Sequence, residues 1–272
     1  MAAEPSIPQI LLLALIQGLT EFLPVSSSAH LILPAALFGL PDQGLAFDVA
    51  AHLGSLAAVL VHFRSELAAM AGALVGRAGA GEAFQQRRLF ACLVLATVPA
   101  GLAALALGEL VEARLRSVAV IAATTLFFGI LLGAADRLGG RRRRLDTLGL
   151  RDALLIGAAQ ALALVPGTSR SGITITAALF LGFEREAAAR FSFLLAIPVI
   201  ALSGLYEVRE LLASPAPPWG QLALAAGASA LAAWLAIGCF LKWVERVGMM
   251  PFVWYRILLG VLLAGLAAGG VV

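Results

Sequence analysis

Six long apolar segments constrain this chain more than any other feature of its sequence. A helix that crosses a bilayer needs about 20 predominantly apolar residues. Hydrophobic residues make up 61% of the 272 residues and charged residues 13%, whereas a soluble domain has about 45–50% and about 25%. The chain is therefore predicted to be an all-α integral membrane protein with one membrane domain. The predicted spans are residues 45–63, 89–107, 118–135, 187–212, 221–241 and 252–272.

The basic residues predict how these spans are oriented. The chain has 19 of them, nearly all Arg, and most lie between the apolar segments. The positive-inside rule places Arg-rich loops in the cytoplasm, which assigns residues 64–88, 133–151 and the segment after the fifth span to that side. Residues near 40 and 110, the loop at 214–219 and both termini are then outside. The same scattering between spans argues against a surface that binds nucleic acid.

Two further apolar regions, residues 7–40 and 153–181, are each interrupted in the middle. Pro24 and Pro166 each remove a helical hydrogen bond, and the polar residues that follow can cap a new helix. Each half is about 11–17 residues long, which is too short to cross a bilayer alone. Broken backbone at membrane depth needs cover from protein or from a water-filled cavity. We therefore expect two re-entrant helix pairs in addition to the six spans.

The predicted topology divides the chain into two halves of opposite orientation. The first broken pair starts and ends outside, the second starts and ends in the cytoplasm, and each is followed by three spans. Residues 15–27 also weakly resemble residues 158–169. Residues 1–150 and 151–272 are thus predicted to be inverted repeats, a plan in which broken helices meet at a binding site near the midplane.

The first break combines a carboxylate, an imidazole and hydroxyl groups. Gln17 and Glu21 are four residues apart and share a helix face. A carboxylate in the membrane costs about 2.5–3.5 kcal/mol on insertion scales, which argues for a cation or a proton as its partner. His30 follows Ser27 by three residues, so the two side chains can face one cavity. The simpler interpretation is that the serines only cap a helix and that His30 is a satisfied buried imidazole. The serines of this break are Ser26, Ser27 and Ser28.

The second break has the composition of a phosphate cradle around Arg170. Glycines allow close backbone approach, a helix N-terminus offers N–H groups, and an arginine can bind phosphate oxygens in a bidentate manner. The alternative is that Arg170 extends to the membrane surface, but about 18 residues separate it from either apparent edge. The accompanying residues are Gly167, Thr168, Ser169, Ser171 and Thr174. Together the two breaks suit an anionic group, and a phosphate fits this set of residues best.

Residues 17–31 and 166–174 resemble two motifs of the undecaprenyl-diphosphate phosphatase family of the bacitracin-resistance type. They match its (Glu/Gln)-x-x-x-Glu and Pro-Gly-x-Ser-Arg-Ser-x-x-Thr patterns, and residues 47–55 and 190–198 give supporting matches. The resemblance covers nearly the whole chain, with both motifs in the family's order. The first motif position is Gln17, where some members have Glu, so Glu21 would carry more of a metal-binding role.

The resemblance implies a function. Family members remove the terminal phosphate from undecaprenyl diphosphate, which recycles the lipid carrier for peptidoglycan synthesis and gives bacitracin resistance. It also implies a multi-pass protein of the bacterial inner membrane, a site open to the outer side, a polyprenyl diphosphate lipid as partner, and a divalent cation, Mg²⁺ or Ca²⁺.

The residues of the two breaks can be given roles in that reaction as a hypothesis. Arg170 would hold the diphosphate and stabilise transition-state charge, and Glu21, helped by Gln17, would bind the metal. Ser27 would attack phosphorus with His30 as general base. The alternatives that His30 activates a water or is itself the nucleophile stay open. The remaining hydroxyls and N–H groups of Ser26, Ser28, Gly167, Thr168, Ser169, Ser171 and Thr174 would bind substrate.

The main rival function is a transporter or flippase for a phosphorylated lipid or anion, because broken helices in inverted repeats are also a transporter plan. Asp48 is interpreted as an ordinary interfacial residue. A homodimer is an open alternative, because small residues such as Gly260 and Gly265 serve either internal packing or contacts between copies.

Overall fold

The computed structural model describes residues 6–38, 44–213 and 218–270. Helices account for nearly all regular structure in these ranges, and an isolated β-bridge pairs Arg143 with Phe183. The α-helices are α1 (Ile7–Phe22), α2 (Ser27–Phe38), α3 (Leu45–His62), α4 (Arg64–Leu74), α5 (Ala80–Arg114), α6 (Val118–Leu138), α7 (Leu150–Ala161), α8 (Arg170–Phe180), α9 (Arg185–Ala213), α10 (Trp219–Val247) and α11 (Met250–Ala268).

Five of these helices, α5, α6, α9, α10 and α11, are long and apolar enough to cross a membrane. The helices α3 and α4 qualify as a sixth span only together, and the chain bends by 73° between them. The prediction of an all-helical, multi-pass membrane protein is confirmed by these helices. Several predicted segments fall partly or wholly outside the described residues. They are the end of the first broken region, the outer loops near residue 40 and at 214–219, and the last two residues of the final span.

The helix α4 lies where the sequence predicted part of a cytoplasmic loop. Met70 and Ala73 are three residues apart and buried, so one face of α4 packs against the protein although its first turn carries polar residues. Arg87 donates from its Nε to the carbonyl of Ala73 at 2.8 Å, which satisfies a carbonyl near the end of α4. The sequence did not predict this short helix, because the region is rich in arginine and the apolar face of the helix is narrow.

Both predicted interruptions are present, and each has a local cause. Leu23 is extended, as expected for a residue before proline, and α1 ends before it. After α7, a short 3₁₀ turn over Leu162–Leu164 leads into an extended Val165. Two serines then adopt the left-handed conformation directly before a helix, Ser26 with φ 72° before α2 and Ser169 with φ 69° before α8. Such a conformation is uncommon for residues other than glycine.

The short helices before the breaks pack closely on long helices from elsewhere in the chain. The helix α1 packs on α10, and α7 packs on α5. A Cβ on Gly18 would lie 2.3 Å from the carbonyl oxygen of Ser229, and one on Gly157 would lie 2.4 Å from that of Ala96. Glycine is required at both positions because any side chain would push the two backbones apart.

The helix α8 lies inside the protein. Ile173, Ile175 and Leu179 are buried, and α8 packs against α6, α7 and α9. Because α8 begins at Arg170, the burial of this helix holds the arginine in the interior rather than at the membrane surface.

Two ion pairs fix the ends of helices in the Arg-rich region. Arg143 donates to both carboxylate oxygens of Asp152 at 2.9 and 2.6 Å, and Asp152 also accepts from the N–H of Gly149 at 2.9 Å. Arg185 donates two hydrogen bonds to Asp136 at 2.6 and 3.0 Å. Bidentate pairs of this kind are the strong form of the Arg–carboxylate interaction. They anchor the start of α7 and the start of α9.

The two glycines named as packing or dimer candidates have different surroundings. A Cβ on Gly260 would lie 2.5 Å from the Cγ of Leu126, so Gly260 serves the internal packing of α11 on α6. No heavy atom lies within 4 Å of a Cβ built on Gly265. The homodimer stays a prediction.

Candidate active site

The two breaks enclose a cavity of about 240 Å³. A cavity of this size has room for a phosphate group and several waters. Its walls come from both breaks and from the ends of α1 and α8. The lining residues are Thr20, Glu21, Ser26, Ser27, Ser28, Ala163, Leu164, Pro166, Gly167, Ser169 and Arg170.

The two charges that the sequence singled out form an ion pair across the breaks. A terminal nitrogen of Arg170 lies 3.2 Å from Oε1 of Glu21, and the side chains are only 12% and 9% exposed. The other terminal nitrogen of Arg170 donates to the carbonyl of Ser192 at 3.1 Å. The Nε of Arg170 is buried and has no hydrogen-bond partner among the described residues. An unpaired buried donor is costly, so this position favours binding of an anion.

Glu21 is held on its other side by residues of α1 and α3. Gln17 donates from Nε2 to Oε2 of Glu21 at 2.9 Å, and Nε2 of His52 lies 3.8 Å from the same oxygen. His52 also bonds through Nδ1 to the carbonyl of Asp48 at 2.8 Å. The sequence predicted Gln17 as a neighbour of Glu21 but did not select His52. The spacing of four residues that joins Gln17 to Glu21 is visible in the sequence, whereas the approach of α3 is not.

The serines of the first break divide into two groups. Ser28 accepts a hydrogen bond from the N–H of Gly167 at 3.1 Å and lies 3.1 Å from the hydroxyl of Ser26. Ser28 thereby joins the first break to the second. The hydroxyl of Ser27 lines the cavity and makes no hydrogen bond to the described residues. Of these three hydroxyls, that of Ser27 is therefore the one free to act on a bound group.

The hydroxyls of the second break mostly form hydrogen bonds within the protein. Ser169 accepts from the N–H of Gly172 at 3.1 Å and caps α8. Ser171 donates to the carbonyl of Leu23 at 2.9 Å, which is a second link between the breaks, and Thr174 lies 2.7 Å from the hydroxyl of Ser192.

Of the predicted substrate-binding residues in the second break, Gly167 and Ser169 line the cavity. Ser171, Thr174 and Thr168 are buried behind it. The hydroxyl of Thr168 has no hydrogen-bond partner among the described residues.

His30 lies beside the cavity rather than in its wall. Its Nδ1 is 2.7 Å from the carbonyl oxygen of Ser26, and its Nε2 is 2.6 Å from the hydroxyl of Tyr255. The rings of His30 and Tyr255 stack with centroids 5.4 Å apart and an angle of 4° between their planes. The structure does not bring His30 into hydrogen-bond contact with Ser27.

Arg256 of α11 is a buried charge that was not predicted from the sequence. It is 0% exposed, and its five hydrogen bonds end at the carbonyl oxygens of Pro24, Thr125, Gly167 and Thr168. It therefore holds the backbone of both breaks together from behind the cavity. An Arg inside a predicted 21-residue apolar span was the signal that could have revealed it.

Only a small set of oxygen ligands is available for a metal. Among the described residues, no three His, Cys, Asp or Glu side chains cluster as a metal-binding group. Glu21 offers one carboxylate, and the Oε1 of Gln17 is buried without a hydrogen-bond partner. This set does not make a protein-only cage. It fits a Mg²⁺-like ion that takes its other ligands from water and from substrate phosphates.

Comparison with known proteins decides the family. The family model described as "Bacitracin resistance protein BacA" matches residues 10–262. The chain belongs to the BacA family. The resemblance inferred from the two motifs is therefore confirmed, and the BacA match covers the cavity, both breaks and the helices around them.

Curated relatives of this BacA family chain are similar over almost their whole length. A protein of Alcanivorax borkumensis named undecaprenyl-diphosphatase is 56% identical over 262 residues, which cover 94% of this chain and 97% of that protein. A protein of Hahella chejuensis with the same name is 53% identical and covers 93% and 95%. A third, from Nitrosococcus oceani, is 54% identical and covers 93% and 96%.

Proposed function

We propose that this BacA family protein hydrolyses undecaprenyl diphosphate to undecaprenyl phosphate and inorganic phosphate. The reaction returns the lipid carrier to peptidoglycan synthesis and thereby gives resistance to bacitracin. The observation that carries the proposal is the free hydroxyl of Ser27 in a cavity that also holds Arg170, whose buried Nε lacks a partner. The names of the relatives support the same enzyme class.

The charge of the cavity suits a diphosphate. Arg170 keeps an unpaired N–H for a phosphate oxygen while Glu21 fixes its guanidinium. The N-termini of α2 and α8 both begin at the cavity, and helix N-termini favour anions. Such preorganised donors stabilise the charge that develops on a phosphoryl group during transfer.

The chemistry follows from the position of Ser27. Its hydroxyl oxygen attacks the terminal phosphorus, the bridging P–O bond breaks, and undecaprenyl phosphate leaves. Water then cleaves the phosphoserine, releases inorganic phosphate and restores the hydroxyl. His30 stands one turn along α2 and takes the serine proton once its Nε2 is released from Tyr255, since catalytic hydrogen bonds often form only in the substrate complex.

A divalent cation, Mg²⁺ or Ca²⁺, would neutralise diphosphate charge at this site. Glu21 and the Oε1 of Gln17 would hold it, as the orphaned amide oxygen suggests. Gln17 supplies an uncharged ligand, so the protein contributes one negative charge at these two positions. The metal would therefore bind more firmly with substrate than without it.

The arrangement in the membrane is proposed as six spans and two re-entrant helix pairs in two inverted repeats, residues 1–150 and 151–272. The reciprocal packing of α1 on α10 and of α7 on α5 supports it. Exposed arginines between α6 and α7 suit a cytoplasmic surface of the bacterial inner membrane. For this orientation we propose that the cavity opens to the outer side, where the substrate's headgroup would enter.

Phosphate release from undecaprenyl diphosphate in detergent tests the function. We expect turnover by the wild type in Mg²⁺, little turnover in EDTA, and recovery when Mg²⁺ is restored. Arg170→Lys should lose about 100-fold or more in kcat, because a point charge replaces a fixed fork of donors. The matched control is Arg137→Lys, at an exposed position. Full activity in EDTA would exclude the metal, and absence of turnover together with movement of the lipid across liposomes would favour the flippase.

A further inference from the structure

Tyr255 is the end of a hydrogen-bonded chain that runs from α11 into the first break. Its hydroxyl lies 2.6 Å from Nε2 of His30, and Nδ1 of His30 lies 2.7 Å from the carbonyl oxygen of Ser26. A carbonyl oxygen only accepts, so Nδ1 carries a proton. In the neutral ring Nε2 is then the acceptor, and the phenol of Tyr255 is the donor.

This tautomer is the one that proton abstraction requires. A general base must present a nitrogen without a proton, and here Nε2 is that nitrogen. The tautomer of a histidine is set by the hydrogen bonds of both ring nitrogens. The parallel stacking of the two rings adds a second restraint on the orientation of His30.

The same chain acts on the backbone that precedes Ser27. Ser26 has φ 72°, which is an unfavourable conformation for a serine and persists only where surrounding contacts stabilise it. One such contact is the bond from His30 to the Ser26 carbonyl. The orientation of that peptide group determines how α2 begins and where the Ser27 hydroxyl points.

We propose that Tyr255 is a positioning residue of the phosphatase reaction, which keeps His30 in the tautomer with an unprotonated Nε2 until substrate binds and thereby fixes the turn that presents Ser27. The proposal rests on the proposed function. Tyr255 acts through His30 and does not line the cavity. It should therefore affect kcat rather than the KM for the lipid.

The decisive variant is Tyr255→Phe, which keeps the stacked ring and removes only the hydroxyl. The control is Trp254→Phe, a neighbouring aromatic residue that is 58% exposed and takes no part in the site. We expect Tyr255→Phe to lower kcat about 3- to 10-fold, the effect of one hydrogen bond, with KM unchanged. Trp254→Phe should leave both values as in the wild type.

A spectroscopic measurement separates positioning from general destabilisation. The chain has three histidines, so ¹⁵N-histidine labelling in detergent gives few resonances, and His30→Gln assigns those of His30. In the wild type we expect a neutral ring protonated at Nδ1. In Tyr255→Phe the ¹⁵N chemical shift of His30 Nε2 should move toward the value of an imidazole nitrogen that accepts no hydrogen bond. The chemical shifts of His52 and His62 should not change.

The proposal is overturned if the His30 resonances are the same in both proteins, or if they shift while kcat stays equal or rises. The spectrum needs no substrate, so it tests the hydrogen-bond chain separately from the enzyme. An inactive wild type with the expected spectral shift would overturn the proposed function, and with it the catalytic purpose of Tyr255, but not the contact itself.

Discussion

Arg170 and Glu21, one from each break, meet in a nearly buried ion pair with 3.2 Å between a terminal guanidinium nitrogen and Oε1. The pair fastens the start of α8 to the end of α1. The Nε of Arg170 stays buried and without a hydrogen-bond partner among the described residues. One contact therefore both closes the fold around the breaks and orients the cation to which we assign phosphate binding.

Removing both partners of this pair should cost less stability than the two single removals added together. We expect Glu21→Gln to lower the free energy of unfolding by about 3–5 kcal/mol, because Arg170 then keeps a buried charge without its carboxylate. The double variant with Arg170→Gln should lose less than the sum of the two single variants. The free energies of unfolding of the wild type, the two single variants and the double variant form a double-mutant cycle. They are measured by unfolding in a denaturing detergent, followed by circular dichroism. Strict additivity would contradict the pairing.

Arg256 gives a prediction about the backbone of both breaks. Lysine has a single ammonium group. It cannot reproduce a guanidinium that donates to the carbonyls of Pro24, Thr125, Gly167 and Thr168. Arg256→Lys should therefore lower stability by about 1–3 kcal/mol, the cost of leaving buried carbonyls unpaired. Activity should fall as well, since Gly167 lines the cavity. Equal thermal denaturation of the variant and the wild type would refute this role. The control is Arg246→Lys, at an exposed position.

The sequence was sufficient for the parts of the site that depend on local chemistry. Pro24 and Pro166 each remove a helical hydrogen bond and are followed by polar residues that can cap a new helix, and a lone charge such as Arg170 in an apolar region needs a partner. Both inferences required only neighbouring residues. The membrane class and the helical fold followed from composition for the same reason.

The parts that the sequence missed depend on which helices pack together. Tyr255 bonds to His30, and His52 reaches Glu21, only because α11 and α3 lie beside the first break and α1. Arg256 gave a signal as a charge in an apolar span, but its partners depend on the same packing. Ser171 and Thr174 are residue types that often bind phosphate, but here they bond to Leu23 of the first break and to Ser192 of α9. Residue type and spacing do not determine these directions.

The carboxylate of Asp152 makes the free energy of unfolding depend on pH in the acidic range. Burial disfavours its charge, but the hydrogen bonds from Arg143 and from the N–H of Gly149 outweigh burial, and the pKa of Asp152 lies below its usual value. The charged form is thus stabilised by folding, so this contribution is complete above the ordinary aspartate pKa of about 4. It is lost as the pH falls through the lowered folded value.

We therefore expect Asp152→Asn to be less stable than the wild type at pH 7 by about 1–3 kcal/mol. The difference should shrink as the pH is lowered below about 4. Thermal denaturation in detergent between pH 3 and 7 measures it, with Asp146→Asn at an exposed position as the control. A difference that stays constant down to pH 3 would exclude the ion pair as its origin.

The most direct test of the account is whether Ser27 carries the phosphate during turnover. Undecaprenyl diphosphate labelled with ³²P in its terminal phosphate is mixed with the wild type and quenched in acid within milliseconds. We expect labelled phosphoserine in the wild-type peptide that contains Ser27. Ser27→Ala should give no labelled protein and no turnover. The control Ser203→Ala should behave as the wild type. Turnover by Ser27→Ala at the wild-type rate would contradict the account.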